Sequence, residues 1–254
     1  MSLPQDFARE LSDFFLELSS PIRVQMLRLL REEVAYRNSQ MARTLNISAQ
    51  ESLRHLQRLV DSGLVEVRER TYALTPIGEL ILETVFPELE FLIKNEPFLS
   101  LHDLSVLPPI FTRRFVELYD SEVIQGPSEI IALAEEVVAN ADIFIWDVAK
   151  LVMRSTNQLL ASKVDHVEVR RIEEEGLRAP SRIPQVSGVE TRSIPTIEVA
   201  MVCTEKEAYI RFPLKATGEL SLSHALFSRD PIFLNFVKDL FLFYWEQGRN
   251  TDLN

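Results

Sequence analysis

The chain has 254 residues and one cysteine, Cys203. A single thiol excludes an intrachain disulfide and any multi-thiolate metal site built from one chain. Seven glycines are present, with none of the Gly-rich spacing that cradles a phosphate. The four histidines, His55, His102, His166 and His224, stand apart and show no close metal-ligand spacing. No nucleophile-elbow motif occurs. The expectation is therefore a protein that is not an enzyme and carries no cofactor. No apolar run reaches membrane-spanning length. The opening MSLPQDFARELSDFF is acidic and lacks the basic stretch of a signal peptide. A cytoplasmic protein without a membrane partner is expected.

Lysine is missing before Lys94, and the net charge is −11. The sign argues against a nucleic-acid partner only until it is counted by segment. Residues 21–74 hold nine arginines against six acidic residues, a balance of +3, which leaves −14 for the rest. A positive module on an acidic body is compatible with DNA, and its binding would be sensitive to salt.

That module holds the most informative stretch, residues 38–78, NSQMARTLNISAQESLRHLQRLVDSGLVEVRERTYALTPIG. Asn38 is placed to cap a short helix over 39–45, with Met41, Ala42 and Leu45 inward. Asn46 stands where a tight turn needs a left-handed residue. Ser48-Ala49-Gln50-Glu51 has the form of a capping box. The second helix runs to about Ser62, and Gly63 ends it. At 100° per residue, Ala49, Leu53, Leu56, Leu59 and Val60 cluster inward. Glu51, Arg54, Arg58 and Asp61 centre outward, with Gln50, His55 and Gln57 on the flanks. Residues 64–68 and 71–75 fit a hairpin with its tip at Arg68-Glu69-Arg70-Thr71. The order helix, turn, helix, hairpin is a winged helix-turn-helix.

A major groove admits one helix and is read near that helix's N-terminal part. Gln50, Glu51 and Arg54 are the base-reading candidates, since these side chains pair with adenine, cytosine and guanine respectively. Arg58, one turn later, suits a phosphate. The candidate DNA-binding set is Ser48, Gln50, Glu51, Arg54, His55 and Arg58, with Arg68 and Arg70 on the wing. A solvated helix face with an i,i+3 ion pair is the bland alternative for the helix. A charged turn that keeps the hairpin soluble is the alternative for the wing.

LRHLQRLVDSGLVEV followed by YALTPIG resembles ArsR-type winged-helix regulators, in the form common among archaeal transcription factors. The residues that carry the likeness are Arg54-His55-Leu56 and Leu74-Thr75-Pro76-Ile77-Gly78. The likeness implies a transcription factor that binds double-stranded DNA as a homodimer. Metal-sensing ArsR forms use paired cysteines, which this chain lacks. Related wings often carry an Asp-Gly tip, where this chain has Arg-Glu-Arg-Thr.

Flanking helices over 6–18 and from Pro21 complete an α+β DNA-binding domain. A helix from about Thr75 to Lys94, kinked at Pro87, serves either as a dimer seam or connector, or as simple intrachain packing. The expected division is a domain over 1–94, a Pro-containing linker over 95–107, and an α/β domain over 108–254. Strand-helix-strand alternation from 122 to 175 predicts a small, mostly parallel sheet. A polar loop follows over 174–188, then a strand pair turning near Glu205-Lys206. Asp230 caps a final aromatic-rich helix with Pro231 at its first position. This ending, with Ser228-Arg229-Asp230-Pro231, is similar to the middle domain of an archaeal methanogenesis-regulator-type family. That likeness implies a domain for association or for sensing a small-molecule effector. It is also distantly similar to TrmB effector domains, whose fold is related to phospholipase D. No His-x-Lys-x(4)-Asp motif occurs, so phospholipase chemistry is not supported.

Trp146-Asp147 at a strand end is the candidate ligand contact, against a buried Trp beside a helix-capping Asp. His102-Asp103 reads as a surface polar step. Cys203 reads as a buried small apolar residue. The reading is a DNA-binding transcriptional regulator, and the alternative is a winged-helix scaffold for protein partners without sequence-specific DNA binding.

Overall fold

The computed structural model describes residues 5–32, 35–150, 154–176 and 186–250. The chain divides into two units, Met1–Glu90 and Phe91–Asn254.

The first unit contains α1 (Gln5–Leu18), α2 (Pro21–Glu32), α3 (Asn38–Thr44), α4 (Ala49–Asp61), β1 (Val65–Arg68) and β2 (Thr71–Leu74). It then enters a helix whose first turns are α5 (Pro76–Leu80) and a π turn, Ile81–Val85. α6 (Phe86–Lys94) carries the chain onward. Met26, Leu27 and Leu30 of α2 meet Met41, Leu56, Leu59, Leu64 and Leu74 in one core. Three local devices set this packing. Asn46 takes φ +53 and Gly63 φ +74, so both turns close as expected. Thr75 Oγ1 accepts from the Gly78 amide at 3.1 Å and donates to the Gly63 carbonyl at 2.6 Å. A Cβ on Gly78 would lie 2.2 Å from the Leu64 carbonyl oxygen, so the helix start approaches the hairpin at a distance only glycine allows. Pro87 has no N–H to give the Glu83 carbonyl, and its ring crowds that position. The helix answers by widening: the Phe86 amide bonds to the Ile81 carbonyl, five residues back.

Asn38 does not cap α3. Arg37 holds the cap position, and Gln40 Oε1 accepts from its amide at 2.9 Å. Asn38 lies inside the helix and donates from Nδ2 to the Ala49 carbonyl at 3.0 Å, which ties α3 to the start of α4. Tyr36 exchanges two backbone hydrogen bonds with Tyr72 and adds a third rung beside the hairpin.

The second unit begins with α7 (Glu96–Leu101), α8 (Pro109–Thr112) and a 3-10 turn, Phe115–Leu118. It continues through β3 (Glu122–Gln125), α9 (Pro127–Asn140), β4 (Phe144–Ala149), α10 (Arg154–Lys163), β5 (Glu168–Glu174), β6 (Glu190–Ile194), β7 (Ala200–Thr204), β8 (Ala208–Arg211), β9 (His224–Ser228), α11 (Pro231–Gln247) and β10 (Arg249–Asn250). The sheet has eight strands in the order β10-β6-β5-β4-β7-β8-β9-β3. α9 and α10 cover one face, and α11 with the segment around α7 and α8 covers the other.

The expected small, mostly parallel sheet is corrected here. Among the described residues only β4/β5 and β5/β6 pair in parallel, and the other pairings of this sheet are antiparallel. The cause is where α9 delivers the chain. β3 lies at the far edge against β9, and β7, β8 and β9 fill the space between it and β4. The segment expected as a linker, 95–107, is folded into this unit, with Phe98 and Leu107 buried in the α11-side core. His102 is wholly buried, not a surface step. Its ring stacks on Phe98 with centroids 4.0 Å apart, and Nδ1 donates to the Phe98 carbonyl at 2.7 Å. Cys203 is buried as expected, and burial pushes its thiol up to about 12. α11 starts at the expected cap: Asp230 Oδ1 accepts from the Ile232 and Phe233 amides at 2.8 and 3.2 Å. Residues 151–153 of an expected helix and 177–185 of the expected polar loop lie outside the described residues.

Candidate nucleic-acid interface

Helix α4 is held at its start by Ser48, whose Oγ accepts from the Glu51 amide at 3.1 Å. Its buried residues are Ser52, His55, Leu56 and Leu59. Ala49 and Leu53, both expected inward, are exposed. The helix is thus turned about its axis by roughly 50° from the orientation its apolar residues alone suggest, at 100° per residue. Its outward face is centred on Gln50, Arg54, Gln57 and Asp61, and Glu51 is half-buried at its margin.

Each candidate has a distinct environment. Gln50 and Arg54 are exposed, and among the described residues no hydrogen bond or ion pair engages either side chain. Arg58 is clamped: its Nε and Nη2 donate to Glu17 of α1 at 2.9 and 2.6 Å. That hydrogen bond holds the Glu17 carboxyl below its ordinary range. Arg23, buried beside them, donates to the Glu17 and Leu16 carbonyls at 2.5 and 2.9 Å. His55 is removed from the outward face. It is buried, and neither ring nitrogen has a hydrogen-bond partner. Burial first, then the positive fields of Arg23 and Arg54, lower its pKa, so the ring is neutral at pH 7.

The wing closes with a two-residue turn, since Arg68 pairs directly with Thr71. Glu69 and Arg70 take φ +46 and +69. Both central residues of such a turn need positive φ, for which Asn-Gly is suited and Glu-Arg is strained. Arg70 is exposed at the tip, and Arg68 Nε donates to Glu66 Oε1 at 2.6 Å. Sequence reasoning missed Leu53 as part of the outward face. The signal that could have found it was the pair of polar residues Ser52 and His55, which take up inward positions.

Trp146 and Asp147 point to opposite faces of the sheet and do not form one site. Trp146 stacks on Phe241, and its Nε1 donates to Glu168 at 3.0 Å. Asp147 pairs with Arg171, whose Nε donates at 3.0 Å and whose Nη1 reaches Asn157 Oδ1 at 2.9 Å. Asn157 in turn lines a cavity of about 370 Å³ with Arg154, Gln158, Ala161 and Asp165. Asp147 is therefore linked to the cavity lining through Arg171 and Asn157.

A family model described as the HVO_A0261 N-terminal domain matches residues 11–90. The matched stretch runs from α1 to the boundary of the first unit and covers less than half of the chain. No curated protein matches the chain. Among solved structures, TrmBL2, described as an archaeal chromatin protein with a novel mode of DNA binding, is 13% identical. That match covers 89% of this chain and 92% of TrmBL2, with a TM-score of 0.45. Nuc from Salmonella typhimurium, a phospholipase D family member, is 13% identical over 52% of this chain and 97% of its own, at 0.39. NucT from Helicobacter pylori is 8% identical over 52% and 98%, at 0.43. All three TM-scores lie below 0.5, too low to bear on the function of this chain.

Proposed function

We propose that the protein is a cytoplasmic, sequence-specific DNA-binding transcriptional regulator of the ArsR-like, archaeal kind, and that it works as a homodimer. One observation carries the reading. The second helix of a helix-turn-helix presents Gln50 and Arg54, unengaged and exposed, in its first two turns, beside a hairpin tipped by Arg70. These side-chain types at that end of a helix suit base edges in a major groove, and an exposed arginine on a wing suits phosphates or the minor groove. Homodimerisation is supported by α1, where Phe7, Leu11 and Phe15 repeat at i,i+4 with 46%, 39% and 48% exposure. Such a stripe asks for a partner, and a two-fold copy of this chain would match two half-sites. The second unit would associate or receive a small polar effector at the cavity beside Asn157.

The test is duplex binding across a salt series with the full chain. DNA binding predicts a linear fall of log affinity with log salt, and Arg54→Ala should weaken the preferred duplex more than a scrambled one. Equal loss on both duplexes, or no binding at low salt, would contradict it. A protein-interaction scaffold is the second reading. It is favoured by Arg58 and Arg68 being occupied within the unit by Glu17 and Glu66. It predicts no sequence preference at any salt.

A further inference from the structure

We propose that Leu53 is a specificity-determining residue that reads the 5-methyl group of a thymine. The inference rests on the DNA-reading function proposed above and adds the base-pair step next to the one read by Arg54. Leu53 is 47% exposed, although it lies on a helix whose other leucines, Leu56 and Leu59, are fully buried. Gln50 lies one turn before it, Gln57 one turn after, and Arg54 is adjacent in sequence. All three are exposed. The leucine thus stands at the edge of the outward face, with Gln50 and Gln57 on its polar side, at the level of the second turn where base edges are met. In a duplex major groove the apolar feature on offer is the thymine methyl, and an aliphatic side chain there gains by covering it. A leucine cannot donate or accept, so it discriminates by that methyl alone. Gln57 donates from Nε2 to Asp61 Oδ1 at 2.8 Å, one turn further along the helix.

The experiment uses the full-length protein and the duplex it prefers, recovered from a random pool. Each thymine of a half-site is replaced in turn by deoxyuridine, which removes one methyl group and leaves every hydrogen-bonding group in place. One position per half-site should then weaken wild-type binding about three- to fivefold, the value of one buried carbon. Leu53→Ala should bind the thymine and deoxyuridine duplexes equally at that position while keeping its guanine preference through Arg54. Alanine is a strong helix former at an exposed position, so the variant should fold. A recovered motif whose thymine methyls are all silent would overturn the role of Leu53 and leave DNA reading standing. A Leu53→Ala variant with the wild-type methyl ratio would do the same. Failure of the wild type to recover any motif would overturn both.

Discussion

Two exposed arginines of the first unit, Arg54 and Arg70, and one buried arginine of the second, Arg171, are used in opposite ways. In the first unit Arg54 and Arg70 project from a helix and a hairpin tip into solvent, while Arg58 and Arg68 lean on carboxylates at the surface. In the second unit Arg171 is buried under α10, with Asp147 and Asn157 as partners. An ion pair held out of water is structural, because losing one partner strands the other charge in a low-dielectric interior. An exposed guanidinium contributes little to folding and is available to something outside the molecule. The contrast therefore separates a residue that builds the fold from residues left available at the surface.

Asp147→Ala tests the contrast with the largest expected effect. It leaves the buried Arg171 with Asn157 and, at 4.0 Å, Glu173, and should cost about 3–5 kcal/mol by urea unfolding. Asp147→Leu combined with Arg171→Met should recover most of the loss, and failure to recover would assign the network a role beyond packing. Arg54→Ala is the counterpart. Stability should stay within about 0.5 kcal/mol of wild type, while discrimination at one base pair falls by about 1–3 kcal/mol. Large destabilisation by Arg54→Ala would erase the contrast.

Two further variants sharpen it. Replacing Glu69-Arg70 by Asn-Gly relieves two left-handed positions and should stabilise the first unit by about 1 kcal/mol. The same change removes the Arg70 charge, so the salt dependence of DNA binding should flatten. Stabilisation with unchanged salt dependence would mean the wing tip meets no phosphate. Glu17→Gln weakens the clamp on Arg58. Non-specific DNA binding should tighten, and its salt slope should steepen by about one. An unchanged slope would show that Arg58 is only a strut between α1 and α4.

The smallest effect is shared by both units. His55 and His102 have pKa values lowered below 6.5, mainly by burial. The unfolded chain then binds protons more readily than the folded one, so stability present above pH 6.5 falls as pH drops below it. Urea midpoints at pH 7.5 and 5.5 should show the loss, and His102→Asn should reduce it.

The first unit was legible in the sequence because its determinants are local. Ser48, Asn46, Gly63, Thr75 and Pro76 each act within a few residues, and each took the position its chemistry suggests. The axial rotation of α4 was not legible, because apolar periodicity counts Leu53 and ignores Ser52 and His55. The second unit lost more. α9, α10, α11 and the strands with clear apolar patterns were visible, but α7 lies in the segment expected as a linker, and strand order depends on contacts between distant segments. β6, with its sequence ETRSI, carries no apolar run that announces an inner strand, and β9 has a run of three, Ala225-Leu226-Phe227, just before the cap of α11. Without β9 the antiparallel pairings beyond the β7/β8 hairpin could not be seen, nor, without β6, the second parallel pairing, nor could the burial of His102.

The most direct measurement of the central claim is selection of bound duplexes from a random pool at near-physiological salt, with wild type and Arg54→Ala side by side. The account predicts a motif of two half-sites for wild type and a relaxed preference at one base pair of each half-site for the variant. Enrichment of no motif by wild type, or of the same motif by both proteins, would contradict it.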